Sequence, residues 1–192
     1  DEISIGLWIG EDTPYSFVDA QKQYLDLVNA VDITNPFPLQ VCPVCGTEIV
    51  PTGTFEGGEG LGIHSTETSF RFFCPTSSCD FNDRLPVQVV DEVLYLEPPT
   101  LLIGTIDKFA RLAWDARSRS FFGGEEHFPP TLVIQDELHL ISGTLGTVAG
   151  VYEAAIDAAI QFQKYGRIPK VLAATATIRR AGEQVERLYG RP

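Results

Sequence analysis

The stretch Thr131-Leu132-Val133-Ile134-Gln135-Asp136-Glu137-Leu138-His139 constrains the fold of this chain more than any other. Its first five residues are β-branched, apolar or uncharged, the pattern of a strand buried on both faces of a parallel sheet. Three ionisable side chains, Asp136, Glu137 and His139, then follow at once. Ending a buried strand in charge is costly unless a ligand or metal meets it. In open α/β sheets, ligands gather at the C-terminal ends of the strands. An apolar strand running into Asp-Glu is also a way to hold a nucleotide-bound magnesium and orient an attacking water. The plain alternative is a strand that runs into a solvated loop.

A second constraint is the placement of all four cysteines in one segment, as Cys42-Pro43-Val44-Cys45-Gly46 and Cys74-Pro75-Thr76-Ser77-Ser78-Cys79. A C-x₂-C knuckle followed by glycine makes a tight turn whose amides point at thiolates, and a second pair completes a tetrahedral sulfur shell for zinc. Thr47–Phe55 and Ser69–Phe73 are the expected strands of a zinc-ribbon-like module. The alternatives are two disulfides, which a reducing compartment disfavours, or His64 in place of one thiolate.

Around this segment the pattern is α/β. Ile3–Ile9 reads as a strand. Ser16 with Asp19 resembles a capping box, although Glu or Gln is the commoner partner, and Phe17 to Val31 carries an apolar stripe at helical spacing. Val87–Val90 and Val93–Leu96 read as short strands, and Leu101–Gly104 as a buried one ending in Thr105. A helix is expected over Ile106–Arg117, with Phe109, Leu112 and Ala113 inward and Lys108, Arg111 and Arg117 on other faces. The longest helix spans about 147–164 and closes at Gly166. Lys170–Ala174 is a third buried strand ending in Thr175-Ala176-Thr177, and Ile178–Tyr189 a final helix. Alternating strands and helices argue for a right-handed parallel sheet. Thr105, Asp136-Glu137 and Thr175 are then expected on one edge of it.

Composition narrows the class. At 44% hydrophobic the 192 residues describe a globular chain. No apolar run approaches the ~18–20 residues that span a bilayer, and no basic–apolar–small leader opens the chain, so a cytoplasmic, non-membrane protein is expected. The net charge of −12 argues against gripping nucleic acid by bulk electrostatics. That charge is uneven: residues 1–100 hold three Lys/Arg against 16 Asp/Glu, and residues 101–192 hold 11 against 10. Phosphate contacts are therefore expected in the second half.

Gly104-Thr105, Asp136-Glu137-Leu138-His139 and Thr175-Ala176-Thr177, in this order with helices between, resemble motifs Ib, II and III of superfamily 2 DExH-box helicases. Ile5-Gly6-Leu7-Trp8 and the cysteine insert are similar to the helicase of the DISARM phage-defence system. The resemblance implies the first RecA-like domain of a motor, a parallel sheet flanked by helices, in two parts (1–38 and 91–192) around an inserted four-cysteine, zinc-ribbon-like module (39–90). It implies an ATP-dependent helicase or translocase with Mg²⁺ and ATP as cofactors and a structural Zn²⁺. Asp136 would hold magnesium, Glu137 would act as general base and His139 would relay nucleotide state. Thr175, Ala176 and Thr177 would couple hydrolysis to strand binding, and Gly104 and Thr105 would meet a phosphate. The implied partners are nucleic acid (DNA before RNA), a second RecA-like domain of the same polypeptide, and a protein at the zinc module.

Departures from the pattern limit what this chain does alone. Leu138 stands for the usual Ala and Thr175 for the usual Ser. No G-x-x-x-x-G-K-[ST] loop is present, and the Gly143–Gly150 run has no lysine. The arginine-rich motif of a second motor domain is also missing. The expectation is a piece of an ATPase, inactive by itself. A non-catalytic zinc-containing adaptor with a RecA-like shell is the alternative.

Overall fold

The computed structural model describes residues 3–10, 13–54, 60–124, 127–140, 143–163, 168–175 and 181–190. They form a mixed α/β structure that divides into two compact units, Asp1–Lys108 and Phe109–Pro192.

In the first unit, β1 (Ile5–Trp8) lies at the centre of a parallel sheet between β6 (Val87–Gln88) and β7 (Leu101–Gly104). α1 (Phe17–Asn29) starts at Ser16, whose hydroxyl accepts from the Asp19 amide while the Asp19 carboxylate accepts from the Ser16 amide. Aspartate thus does the work usually given to glutamate, and a cap of this kind is worth about 1 kcal/mol. α2 (Asp91–Leu96) closes onto β1 at Gly6, where a Cβ would come within 2.5 Å of Leu94 Cδ2 and Pro99 Cγ.

That helix replaces the strand expected over Val93–Leu96. Asp91 and Glu92 occupy its first turn, where carboxylates suit the helix dipole, and Glu92 accepts a hydrogen bond from the Phe17 amide at 2.9 Å.

The cysteine segment also pairs differently from the expected ribbon. β2 (Asp32–Ile33) takes β3 (Gly53–Thr54) as an antiparallel partner, and β4 (Ile63–Ser65) forms a hairpin with β5 (Phe70–Phe72). Among the described residues, only the isolated bridge Val41–Glu48 leads out of the first knuckle. Gly62 explains the switch. Its amide donates to Ile49 and its carbonyl accepts from Phe73, an approach so close that a Cβ would strike the Phe73 carbonyl oxygen. One core joins Ala20 and Leu27 of α1, Phe37, Ile49 and Phe72, and the cysteines Cys42, Cys74 and Cys79. The rings of Phe37, Phe70 and Phe72 pack with centroids 5.0 to 5.6 Å apart.

Lys108 corrects the expectation that it lies on an outer face. It is buried, its Nζ donates to the buried Asp91 carboxylate at 2.5 Å, and it sits 5.8 Å from the Trp8 ring centroid. The expected helix over Ile106–Arg117 is also broken. α3 covers only Ile106–Phe109, a 3₁₀ turn follows over Ala110–Ala113, and another runs from Ala116 to Phe122. Asp115 starts the second turn: extended in backbone, it caps the Arg117 amide and ion-pairs with the Arg117 guanidinium at 2.9 Å.

The second unit contains β8 (Leu132–Gln135) and β9 (Lys170–Ala173), a parallel two-stranded sheet. α4 (Gly143–Gln161) contacts α5 (Ala181–Tyr189). Gly166 and residues 178–180, expected to end and begin these helices, lie outside the described residues. The strands are not buried on both faces as expected: Leu132 is 45%, Ile134 62% and Leu172 46% exposed. Among the described residues β8 and β9 have only each other as strand partners, so their faces receive little cover. Among those residues, too, no helix is long and apolar enough to cross a membrane.

Candidate functional site

The four cysteines converge. One ligand atom from each of Cys42, Cys45, Cys74 and Cys79 lies within 4.8 Å of every other. Cys42 and Cys79 Sγ are 3.8 Å apart, and Cys45 and Cys74 Sγ 3.4 Å. Four thiolates at the ~2.3 Å Zn–S distance of a tetrahedral site stand about 3.8 Å from one another. The donor set therefore fits a metal ion such as zinc, and His64, exposed on β4, is not part of it.

Backbone turns hold the sulfurs in place. In the first knuckle the Gly46 amide donates to Cys42 and the Cys42 amide to Thr47, with Gly46 at φ 76°. In the second, the Cys74 amide donates to Phe81 and the Cys79 amide to Thr76. The two knuckles are tied by a 2.7 Å hydrogen bond between the Thr47 and Thr76 hydroxyls. Each threonine stands two residues after a cysteine, a signal present in the sequence that spacing rules for sulfur alone pass over.

The environment splits the thiols. The Thr47 hydroxyl and amide, then the Cys74 thiol, pull exposed Cys45 down to about 6. At Cys79 the Phe81 backbone favours the thiolate, but burial and the three neighbouring sulfurs prevail and push it up to about 12. Cys45 is thus the thiol of the four most readily ionised.

The acidic strand end has its own geometry. β8 and β9 run parallel in the register Gln135 to Ala173, so Asp136-Glu137 and Ala174-Thr175 leave the sheet at the same end. The Leu138 amide donates to the Ala174 carbonyl at 3.0 Å and the Ala174 amide to Gln135 at 2.8 Å, stitching the two exits together. Asp136 Oδ1 accepts from the Glu137 amide at 2.9 Å. Glu137 has φ 53°, the only described non-glycine residue in the left-handed region. Holding such a backbone costs on the order of 1–3 kcal/mol, and conformations of this kind cluster where function needs them. His139 Nδ1 lies 3.0 Å from a Glu137 carboxylate oxygen, an ion pair when the ring is protonated. Both carboxylates are exposed, whereas Leu138, which follows them, is buried and anchors the turn.

Gly104 and Thr105 lie in the first unit, at the end of β7, where the Thr105 amide donates to the Trp8 carbonyl at 3.4 Å and the side chain is exposed. Among the described residues β7 and the β8–β9 pair are in separate sheets. Ala176 and Thr177 lie outside the described residues. A cavity of about 330 Å³ in the second unit sits between α4 and α5, lined by Glu153, Asp157 and Tyr189, and does not involve Asp136 or Glu137.

No family model matches the chain. It is 35% identical to DISARM protein DrmA of Bacillus paralicheniformis over an alignment that covers 99% of this chain and 20% of that protein. The chain thus spans about one fifth of the length of the curated relative it matches. Over nearly all of its residues, then, this chain is similar to a DISARM protein.

Proposed function

We propose that the chain is part of an ATP-driven nucleic-acid motor that acts in defence against phage, and that residues 131–175 supply its hydrolytic strand end. One observation carries the reading. Two adjacent carboxylates leave a parallel strand pair beside Thr175, and the second is held in a left-handed backbone conformation. The similarity to DISARM protein DrmA supports the defence context.

Magnesium and ATP supply a polarised phosphoanhydride whose terminal phosphoryl group is open to attack. In this reading the Asp136 carboxylate would hold the ion. Glu137 would accept the proton of the attacking water as general base. His139, within 3.0 Å of the Glu137 carboxylate, passes the state of that site to a second RecA-like domain of the same polypeptide. Thr175 to Thr177 link it to the strand-binding face, where Gly104 and Thr105 meet a phosphate of the bound strand, DNA before RNA. The fold is read as RecA-like, with segment 39–90 inserted between its two parts, zinc in the four-cysteine cluster as a staple, and a protein partner at that module.

The test uses the polypeptide that carries this chain together with a Gly-Lys-Thr phosphate loop. Glu137→Gln is expected to lower nucleic-acid-stimulated ATP hydrolysis by roughly 10²–10⁴-fold while ATP and DNA still bind. Unchanged hydrolysis ends this assignment of Glu137.

A further inference from the structure

Residues 1–100 contain only three lysines and arginines, Lys22, Arg71 and Arg84. Scattered over a surface with 16 carboxylates, they would be solvated counter-charges and nothing more. Instead Arg71, Arg84 and His64 line one cleft of about 260 Å³, between the β4–β5 hairpin, the start of α1 and the C-terminal part of α2, with Phe17 and Val93 among its apolar walls. His64 and Arg71 are register partners across the hairpin, so they stand on the same face of it. Their neighbours Ile63, Ser65, Phe70 and Phe72 turn into the core.

The cations are only partly offset. Arg84 is ion-paired with Glu97 at 2.8 Å, with both side chains about half in water. Among the described residues Arg71 meets the carboxylate of Asp83 alone, at 4.0 Å and with both side chains largely in water, a contact worth little. Two guanidinium forks, one carboxylate, an imidazole and the Ser69 hydroxyl therefore share the lining. Guanidinium pairs match the oxygens of a phosphate. The acidic surroundings repel a long polyanion, so the cleft suits an isolated phosphate and not a duplex tract.

We propose that this cleft is a binding site for a single phosphate group, held by Arg71 and Arg84 with His64 as a further donor. The phosphate is either the terminal one of a single nucleic-acid strand or that of a free nucleotide, with its sugar or base edge against the apolar wall. The site stands on its own residues and does not depend on Asp136 or Glu137.

The test measures binding of a fluorescent, terminally phosphorylated oligothymidylate to the zinc-loaded chain, with competition by thymidine monophosphate, inorganic phosphate and an acidic peptide. Arg71→Gln and Arg84→Gln are each expected to weaken binding roughly tenfold or more. Lys22→Gln, the third cation of this half but outside the cleft, is expected to change nothing. Competition by the mononucleotide assigns the site to free nucleotides, and competition by phosphorylated strands alone assigns it to nucleic acid; both support it. If Arg84→Gln disturbs folding, the arginine Nε–H resonances of the unaltered chain serve instead, and inorganic phosphate should shift those of Arg71 and Arg84. Binding equal to wild type in both arginine variants, an equal loss in Lys22→Gln, stronger competition by the acidic peptide, or no resonance shift would overturn the proposal.

Discussion

The two units solve the same problem in different ways. In Asp1–Lys108, strand β1 has a partner on each side and α2 above it, and Trp8 at its end is fully buried. That interior is also locked by four converging sulfurs and the Asp91–Lys108 pair. In Phe109–Pro192, β8 has one partner among the described residues and keeps Leu132 and Ile134 in contact with water. The buried apolar side chains described there are Phe121, Phe122, Leu138, Ala149 and Ile160. β1, with two partners, buries Gly6 and Trp8, whereas β7 and β8, each with one partner among the described residues, leave Leu101, Ile103, Leu132 and Ile134 exposed. Leu101–Gly104 is thus not the buried strand expected, and the number of neighbouring strands decides the cover. An apolar run specifies a strand's appetite for cover, and the rest of the fold decides whether that appetite is met.

This contrast can be broken, most forcefully at the sulfurs. Stripping metal from protein purified with it, or introducing Cys42→Ser, should abolish protection of amides over residues ~40–85, since metal binding in such modules is folding free energy of about 10 kcal/mol or more. Amides of β8 and β9 should exchange as before. Equal loss in both units would show that the first is not separately locked.

Next in size is the buried ion pair. Asp91→Ala leaves the Lys108 ammonium uncompensated inside the core and should cost about 3–5 kcal/mol in urea unfolding. Asp91→Leu combined with Lys108→Met should recover most of that loss, and a double variant no better than the single one would contradict the assignment. The smallest effects sharpen the comparison of cores. Ile49→Ala, in the closed interior, should cost about 2–5 kcal/mol. Ile134→Ala, on the uncovered strand, should stay within about 0.5 kcal/mol.

Much of this is legible in the residues, and the limits have physical causes. The capping box at Ser16 and Asp19 is local chemistry, and it forms as the spacing demands. The knuckles are local as well, and their four sulfurs meet. Lys108 escapes a reading of helical faces because its position on the helix says nothing about Asp91, 17 residues earlier. Val93–Leu96 has the apolar content of a strand, and the acidic pair before it tips the segment into a helix. The cleft at Arg71 and Arg84 is invisible to charge counting, because the count for residues 1–100 is strongly acidic while the hairpin gathers its rare cations.

The left-handed backbone at Glu137 sets the mutational vocabulary of that position. Glycine relaxes the turn, asparagine and aspartate tolerate it, and valine, isoleucine or threonine are strained by it. A carboxylate with a longer arm therefore stands where a shorter or absent side chain is thermodynamically easier. Random variants selected only for thermal robustness should accumulate Glu137→Gly, and those selected for survival under infection should not.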